Sequence, residues 1–315
     1  MIDLENEFNN YLTYCLKQKN LSSHTLKAYK IDITQYRSFA GKITIDKDTL
    51  VNYIRHLHET YKPKTIRRKI ASLKAFFHYL YYQDIIKNNP FGKIDTYFKE
   101  PKTLPRTIPQ HVIQSVLCAA YSNISDSVTP YQERTNIRNT AIIELLFATG
   151  ARISEICSLR SKDVDLISHT VKIFGKGSKE RIIQIENLDV ISILYKYKEI
   201  YSEHISPDNF FFLNNRYHRL SEQSVRYIIR HLEKQINSPI HITPHMFRHS
   251  VATLLLEEDV DIRYIQKILG HSSITTTQIY THVTSSKQRE MLPTKDRRNK
   301  INLPQKDLPN KNTLT

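Results

Sequence analysis

Two mainly helical domains, the second carrying a small β-hairpin or sheet, are what the sequence predicts. Three observations predict them. Apolar residues recur at spacings of three and four through most of the chain, one stretch alternates on both sides of a glycine-rich turn, and prolines cluster near residue 100. With 315 residues, 40% hydrophobic and 24% charged, the chain is long enough for two separate cores.

The first hundred residues read as helices. In SSHTLKAYKIDITQYRSFA, Leu26, Tyr29, Ile33 and Tyr36 share a face, and Ser22 or Ser23 suits the N-cap. In PKTIRRKIASLKAFFHYLYY, Ile66, Ile70, Leu73, Phe77 and Leu80 form an apolar stripe, and Pro63 suits the first turn. Arg67, Ala71, Lys74 and His78 lie on another face of that helix. A basic face beside an apolar stripe fits a helix laid on a polyanion, and fits a plain solvated face as well. Then KNNPFGKIDTYFKEPKTLPRTIP, with Pro90, Pro101, Pro105 and Pro109, has no helical period and reads as a linker, with the boundary near residue 100.

The second domain is expected to hold an apolar helix over 136–149, stopped at Gly150, and a further helix after Ser154. HTVKIFGKGSKERIIQI predicts a hairpin. Val171 and Ile173 alternate before the turn Gly175-Lys176-Gly177-Ser178, and Ile183 and Ile185 after it. Helices are expected again around 188–203, 221–236 and 244–258. The segment 293–315, with Pro293, Pro304 and Pro309 among Asn and Lys, is expected to be a basic, disordered tail.

Charge indicates the kind of partner. The net charge is +15, with a sequence pI near 9.5, which points to a polyanion such as nucleic acid. Residues 1–100 carry 17 basic and 10 acidic side chains, while the long middle of the chain is nearly balanced. Cys15, Cys118 and Cys157 are far apart and odd in number, which predicts a reducing compartment and hence a cytoplasmic protein. The polar start MIDLENEF does not read as a secretory signal, and no apolar run is long enough for a bilayer, so no membrane partner is expected.

Three segments, ATGARISEICSL, ITPHMFRHSVAT and LGHSSITTTQIYTHV, together with the hairpin, hold Arg152, Lys176, His245, Arg248, His271 and Tyr280. Phosphodiester transfer has a use for each of these types. Two arginine forks can neutralise a phosphate under attack and stand in for a metal ion. A tyrosine hydroxyl can store the bond energy in a covalent link, given a base or a cationic setting. His245 can take its proton, His271 can donate to the phosphate, and Lys176 at a hairpin tip can protonate the leaving sugar oxygen. A carboxylate at Glu155 reads as structural, orienting Arg152 or capping the helix. His241, His245 and His249 stand at four-residue spacing, but Pro244 interrupts them and no H-E-x-x-H pattern is present, so a metal site is not predicted. Taken singly, Arg152 is a surface arginine, Lys176 is turn chemistry and Tyr280 is one of 19 tyrosines; the set in this order is what carries weight.

That set resembles the tyrosine recombinase (phage integrase) family, and more narrowly its two-domain Xer-like members. The resemblance rests on A-R-x-S-E at 151–155, G-K-G-x-K-x-R at 175–181, H-x-x-R-H-S at 245–250, L-G-H-S-S at 269–273 and Tyr280 nine residues beyond His271. S-x-x-T-L-x-A-Y at 22–29 matches the character of the family's core-binding domain. The resemblance implies a helical core-binding (DNA-binding) domain over 1–98, a linker over 99–109, a catalytic domain over 110–292 and the tail at 293–315. It further implies a metal-independent, cofactor-free site-specific recombinase with Tyr280 as nucleophile, activated by Arg152, Lys176, His245, Arg248 and His271. The intermediate would be a 3′-phosphotyrosyl link, and strands would be exchanged through a Holliday junction for DNA integration, excision or dimer resolution. The partner implied is a double-stranded DNA recombination site, bound by a homo-tetramer or by a hetero-tetramer with a paralogous recombinase. Lys64, Arg67 and Lys74 are the DNA-binding candidates of the first domain. A short helix over 283–292 could dock on the neighbouring protomer. Two other readings remain at this level: a DNA-binding regulator that does not use catalysis, and a relaxing topoisomerase.

Overall fold

The computed structural model describes residues 3–99, 105–175, 180–270, 273 and 275–278. The chain divides into two compact units, Met1–Lys102 and Thr103–Thr315. The hairpin tip, the segment 283–292 and the tail expected at 293–315 lie outside the described residues.

The first unit consists of α1 (Leu4–Lys17), α2 (Ser23–Ala40), α3 (Lys47–Thr60) and α4 (Pro63–Tyr82), followed by a 3₁₀ turn at Pro90–Lys93. Local chemistry sets the helix ends. Asp3 accepts from the Glu5 and Asn6 amides, Ser22 from Thr25 and Asp46 from Thr49, so each side chain satisfies donors that a first helical turn leaves open. Pro63 opens α4, where its missing N–H costs nothing. The faces of α4 divide as their spacing predicts. Ile66, Ile70, Leu73, Phe77 and Leu80 are buried with Phe8, Tyr11, Ile33, Tyr36, Leu50 and Phe76, while Lys64, Arg67, Ala71, Lys74 and His78 are exposed.

One charged side chain breaks that division. Lys69 lies on the buried face, and its ammonium reaches Asp32 Oδ1 at 3.2 Å and also donates to Gln35 Oε1. Asp32 is 0% exposed and accepts in addition from Ser72 Oγ at 2.8 Å and from Arg68. Such a pair holds α2 to α4, and it is most costly when only one partner is removed. Asp32→Ala is expected to destabilise this unit by about 3–5 kcal/mol, because it strands the Lys69 ammonium in the core. Urea denaturation of the full chain measures it.

The second unit is helical around a small sheet. It runs α5 (Gln110–Ser125), α6 (Pro130–Thr149), α7 (Ile153–Ser158), β1 (Val164–Asp165), β2 (Thr170–Phe174), β3 (Glu180–Gln184), α8 (Leu188–Ile200), α9 (Glu222–Gln235), α10 (Pro244–Glu257), α11 (Ile262–Leu269) and the short α12 (Thr275–Gln278). The sheet is antiparallel in the order β1-β2-β3, with Val171 opposite Ile183 and Ile173 opposite Arg181. Val171, Ile173, Ile183 and Ile185 point inward, as their alternation predicts, and β1 is a strand that the sequence did not predict. The later turns of α6 are largely buried, through Ile137, Ile142, Leu145 and Leu146, and its core continues into Leu194, Tyr197, Phe211, Phe212 and Phe247. It starts at Pro130, six residues before its apolar run, because Thr129 and Gln132 form a reciprocal capping box. No helix among the described residues is long and apolar enough to cross a membrane.

Candidate active site

Gly150 ends α6 in the left-handed region, at φ 57°. A Cβ there would come within 2.8 Å of Leu269 Cδ2 and 3.3 Å of Val251 Cγ1. Glycine therefore serves twice, for the backbone turn and for the close approach of α10 and α11. Two residues later Arg152 forms the N-cap of α7. Glu155, one turn into that helix, accepts from the Arg152 backbone N–H at 2.9 Å and from Arg152 Nη1 at 2.9 Å. The two readings of Glu155, as a cap and as an orienter of Arg152, are thus both true of the same carboxylate. The Arg152 side chain stays 35% exposed, so it is held at its inner side and open at its outer one.

Arg248 is on α10, three residues after His245 and close to one turn further along. His245 is exposed, whereas Arg248 is 4% exposed. The Arg248 guanidinium donates through Nη1 to the Gly150 carbonyl at 2.9 Å and through Nη2 to the Leu269 carbonyl. Those carbonyls stand two residues before Arg152 and two residues before His271. One buried fork therefore ties together three of the segments singled out in the sequence. α11 ends at Gly270, again left-handed at φ 64°, so the chain turns sharply just before His271.

His249 follows Arg248 and is half-buried. Burial, then the nearby His245 and Arg248, push its imidazole down from the ordinary 6.5 to about 4, so it is neutral at pH 7. Its folded value lies below its unfolded one, so the unfolded chain binds more protons as pH falls between the two. Stability at this site is therefore expected to be fully present above about pH 6.5 and to be lost progressively toward pH 4. Denaturation midpoints at pH 7 and pH 5 should differ less in His249→Gln than in the native chain.

The structure brings Arg152, His245 and Arg248 into one region of the second unit. Lys176, His271 and Tyr280 lie outside the described residues. His241 precedes α10, and its Nδ1 is 3.0 Å from both oxygens of the Glu233 carboxylate. No group of three metal-ligating side chains occurs among the described residues. In the first unit, Lys74 donates to Thr96 Oγ1 at 2.5 Å, and together with Arg67, Ala71, Tyr97 and Phe98 it lines a shallow depression on the α4 face.

Sequence reasoning passed over Arg181, which closes the motif at 175–181 but had no role there. It sits on β3 and donates through Nη2 to Glu155 Oε2 at 2.6 Å. Burial raises the Glu155 carboxyl, but the hydrogen bond from Arg181, then that from the Arg152 backbone, outweigh it and hold the group below the usual carboxylate value.

Comparison with known proteins decides the lineage. A model of the phage integrase family matches residues 116–287, and one of the phage integrase N-terminal SAM-like domain matches residues 8–84. The chain belongs to the phage integrase family. A tyrosine recombinase of Agathobacter rectalis is 50% identical over 295 residues, spanning 93% of this chain and 96% of its own. Tyrosine recombinase XerC of Bacillus licheniformis is 34% identical over 308 residues, covering 92% of this chain and 96% of its own. Among solved structures, XerA recombinase is 28% identical with a TM-score of 0.52, over 93% of this chain and 99% of that one. XerH bound to a palindromic difH substrate in a post-cleavage complex gives a TM-score of 0.73 at 21% identity, over 89% and 82%, which shows the fold. The resemblance read from the motifs is therefore correct, and this is a Xer-like tyrosine recombinase with the mostly helical phage integrase fold and its small sheet.

Proposed function

We propose that this site-specific tyrosine recombinase cleaves one strand of duplex DNA by attack of Tyr280 on a backbone phosphate. The Tyr280 Oη–phosphorus bond forms and the phosphorus–O5′ bond breaks, leaving a 3′-phosphotyrosyl link and a 5′-hydroxyl. The phenol proton passes to a base, for which His245 is the candidate, and Lys176 supplies the proton that O5′ takes up. Arg152, Arg248 and His271 stabilise the charge that builds on the non-bridging oxygens. Religation by the 5′-hydroxyl of a second strand reverses these steps, and two rounds pass through a Holliday junction.

The observation that carries this reading is the double donation by Arg248. It supports a common pocket because Gly150 leads to Arg152 and Leu269 leads to His271. The same reading makes residues 1–98 a core-binding domain that grips duplex DNA through Lys64, Arg67 and Lys74, joined by 99–109 to a catalytic domain over 110–292. A tetramer on DNA follows from exchanging two strand pairs, either of one chain or with a paralogue.

The test is a nicked suicide substrate that carries a recombination site selected from random duplex DNA. A covalent protein–DNA adduct is expected on denaturing gels and is expected to persist in EDTA, since the arginines supply the charge that a metal would otherwise bring. An adduct that forms only with a divalent ion would refute the mechanism.

A further inference from the structure

Arg181 has no assigned part in the reaction, and its surroundings give it one. Its side chain is 9% exposed, and that of its partner Glu155 is 5% exposed. Both outer nitrogens of Arg181 face this carboxylate, Nη2 at 2.6 Å from Oε2 and Nη1 at 3.4 Å from Oε1. Oε1 is the oxygen that also holds Arg152 Nη1 at 2.9 Å. One buried carboxylate is therefore shared by two guanidiniums, of which Arg152 is open to solvent and Arg181 is enclosed. Arg181 also lies against the residue before His271. A Cβ on Gly270 would meet Arg181 Nη1 at 2.9 Å and its Cδ and Cζ at 3.3 Å. Along the chain it stands five residues after Lys176, and it pairs with Ile173 next to the end of the β2–β3 ladder where residues 175–179 join the two strands.

We propose that Arg181 is a positioning residue for strand cleavage: by sharing Glu155 with Arg152 and seating against Gly270, it fixes the Arg152 fork relative to the segments that lead to Lys176 and His271. The inference rests on the catalytic reading above. The physical reason is competition. With two cations on Glu155, Arg152 needs only part of its fork to satisfy the carboxylate and can turn the rest outward to a phosphate. Without Arg181, the buried carboxylate has Arg152 as its one cation and draws it inward. The charged groups acting on Glu155 are Arg152 from its own helix and Arg181 from β3. Loss of Arg181 therefore also lets Glu155 take up a proton at higher pH than in the native chain.

Arg181→Met and Arg181→Lys should be compared with the native chain by single-turnover cleavage of the suicide substrate at saturating DNA, across pH. R181M is expected to cleave about 10- to 100-fold more slowly, the scale of loss when a partner that orients an active-site group is removed. DNA affinity should stay within about twofold, since Arg181 is enclosed and meets no phosphate. The acid limb of the rate profile should move to higher pH. R181K keeps the charge without the planar fork and should fall between the two. If R181M does not fold, R181K alone decides, with a slower rate and a raised acid limb expected. Native rates in a folded variant, or one pH-independent loss shared by both variants, would overturn the proposal. Failure of the native chain to form any adduct would instead sink the catalytic reading, so the two failures are distinguishable.

Discussion

Tyr280→Phe is expected to abolish the covalent adduct, with cleavage falling on the order of 10⁴-fold or more, while duplex affinity stays within about twofold. The substitution removes one oxygen and keeps the ring. Phosphate contacts from arginine and lysine, which dominate affinity for DNA, are untouched. A chain that merely bound DNA would show no adduct before or after the change, and a different nucleophile would leave the adduct in place. Gel-resolved adduct formation, together with binding measured by fluorescence anisotropy on the same duplex, separates these outcomes.

The second large effect is expected at Arg248. Its fork spans the Gly150 and Leu269 carbonyls from a position that is 4% exposed. Arg248→Lys keeps the charge, but a compact ammonium on a flexible stem does not reproduce the planar fork. Cleavage is expected to fall about 10²–10³-fold, the usual loss when a donor to the transition-state phosphate is removed. Because the variant also leaves a buried carbonyl short of its donor, unfolding should be easier by about 1–3 kcal/mol. The double loss is the signature of a residue that both builds the pocket and works in it. Lys64→Ala, at a proposed surface phosphate contact, should instead weaken binding and its salt dependence, with little effect on stability.

Much of the fold was legible because local chemistry and tertiary packing agree. Ser22 caps α2, Pro63 opens α4 and Gly150 stops α6, each for a reason visible in a few adjacent residues. The hairpin followed from alternation at Val171, Ile173, Ile183 and Ile185. Part of what escaped notice depends on partners distant in sequence or on elements too short to show a period, whereas α5 over Gln110–Ser125 is a long helix that the reading passed over. β1 is two residues long and pairs only at its own ends with β2. The start of α6 is polar and set by a capping box, so an apolar period begins too late to find it. The burial of Lys69 depends on Asp32, on another helix, and no local spacing signals that pairing.

The candidate site shows the same division. Its residue types and order were readable, because phosphoryl transfer restricts which side chains can serve. The contacts that link their segments were not. Arg248 donates to backbone carbonyls, which have no sequence signature, and Arg181 donates to Glu155, which is 26 residues away. A lone arginine on a strand gives no sign of which carboxylate it will meet.

Mass spectrometry of the trapped adduct, after protease and nuclease digestion, tests the central claim most directly. The account predicts a nucleotide joined through its 3′-phosphate to the peptide that contains Tyr280, and to no other side chain. Attachment at a different residue, or through a 5′-phosphate, would contradict it.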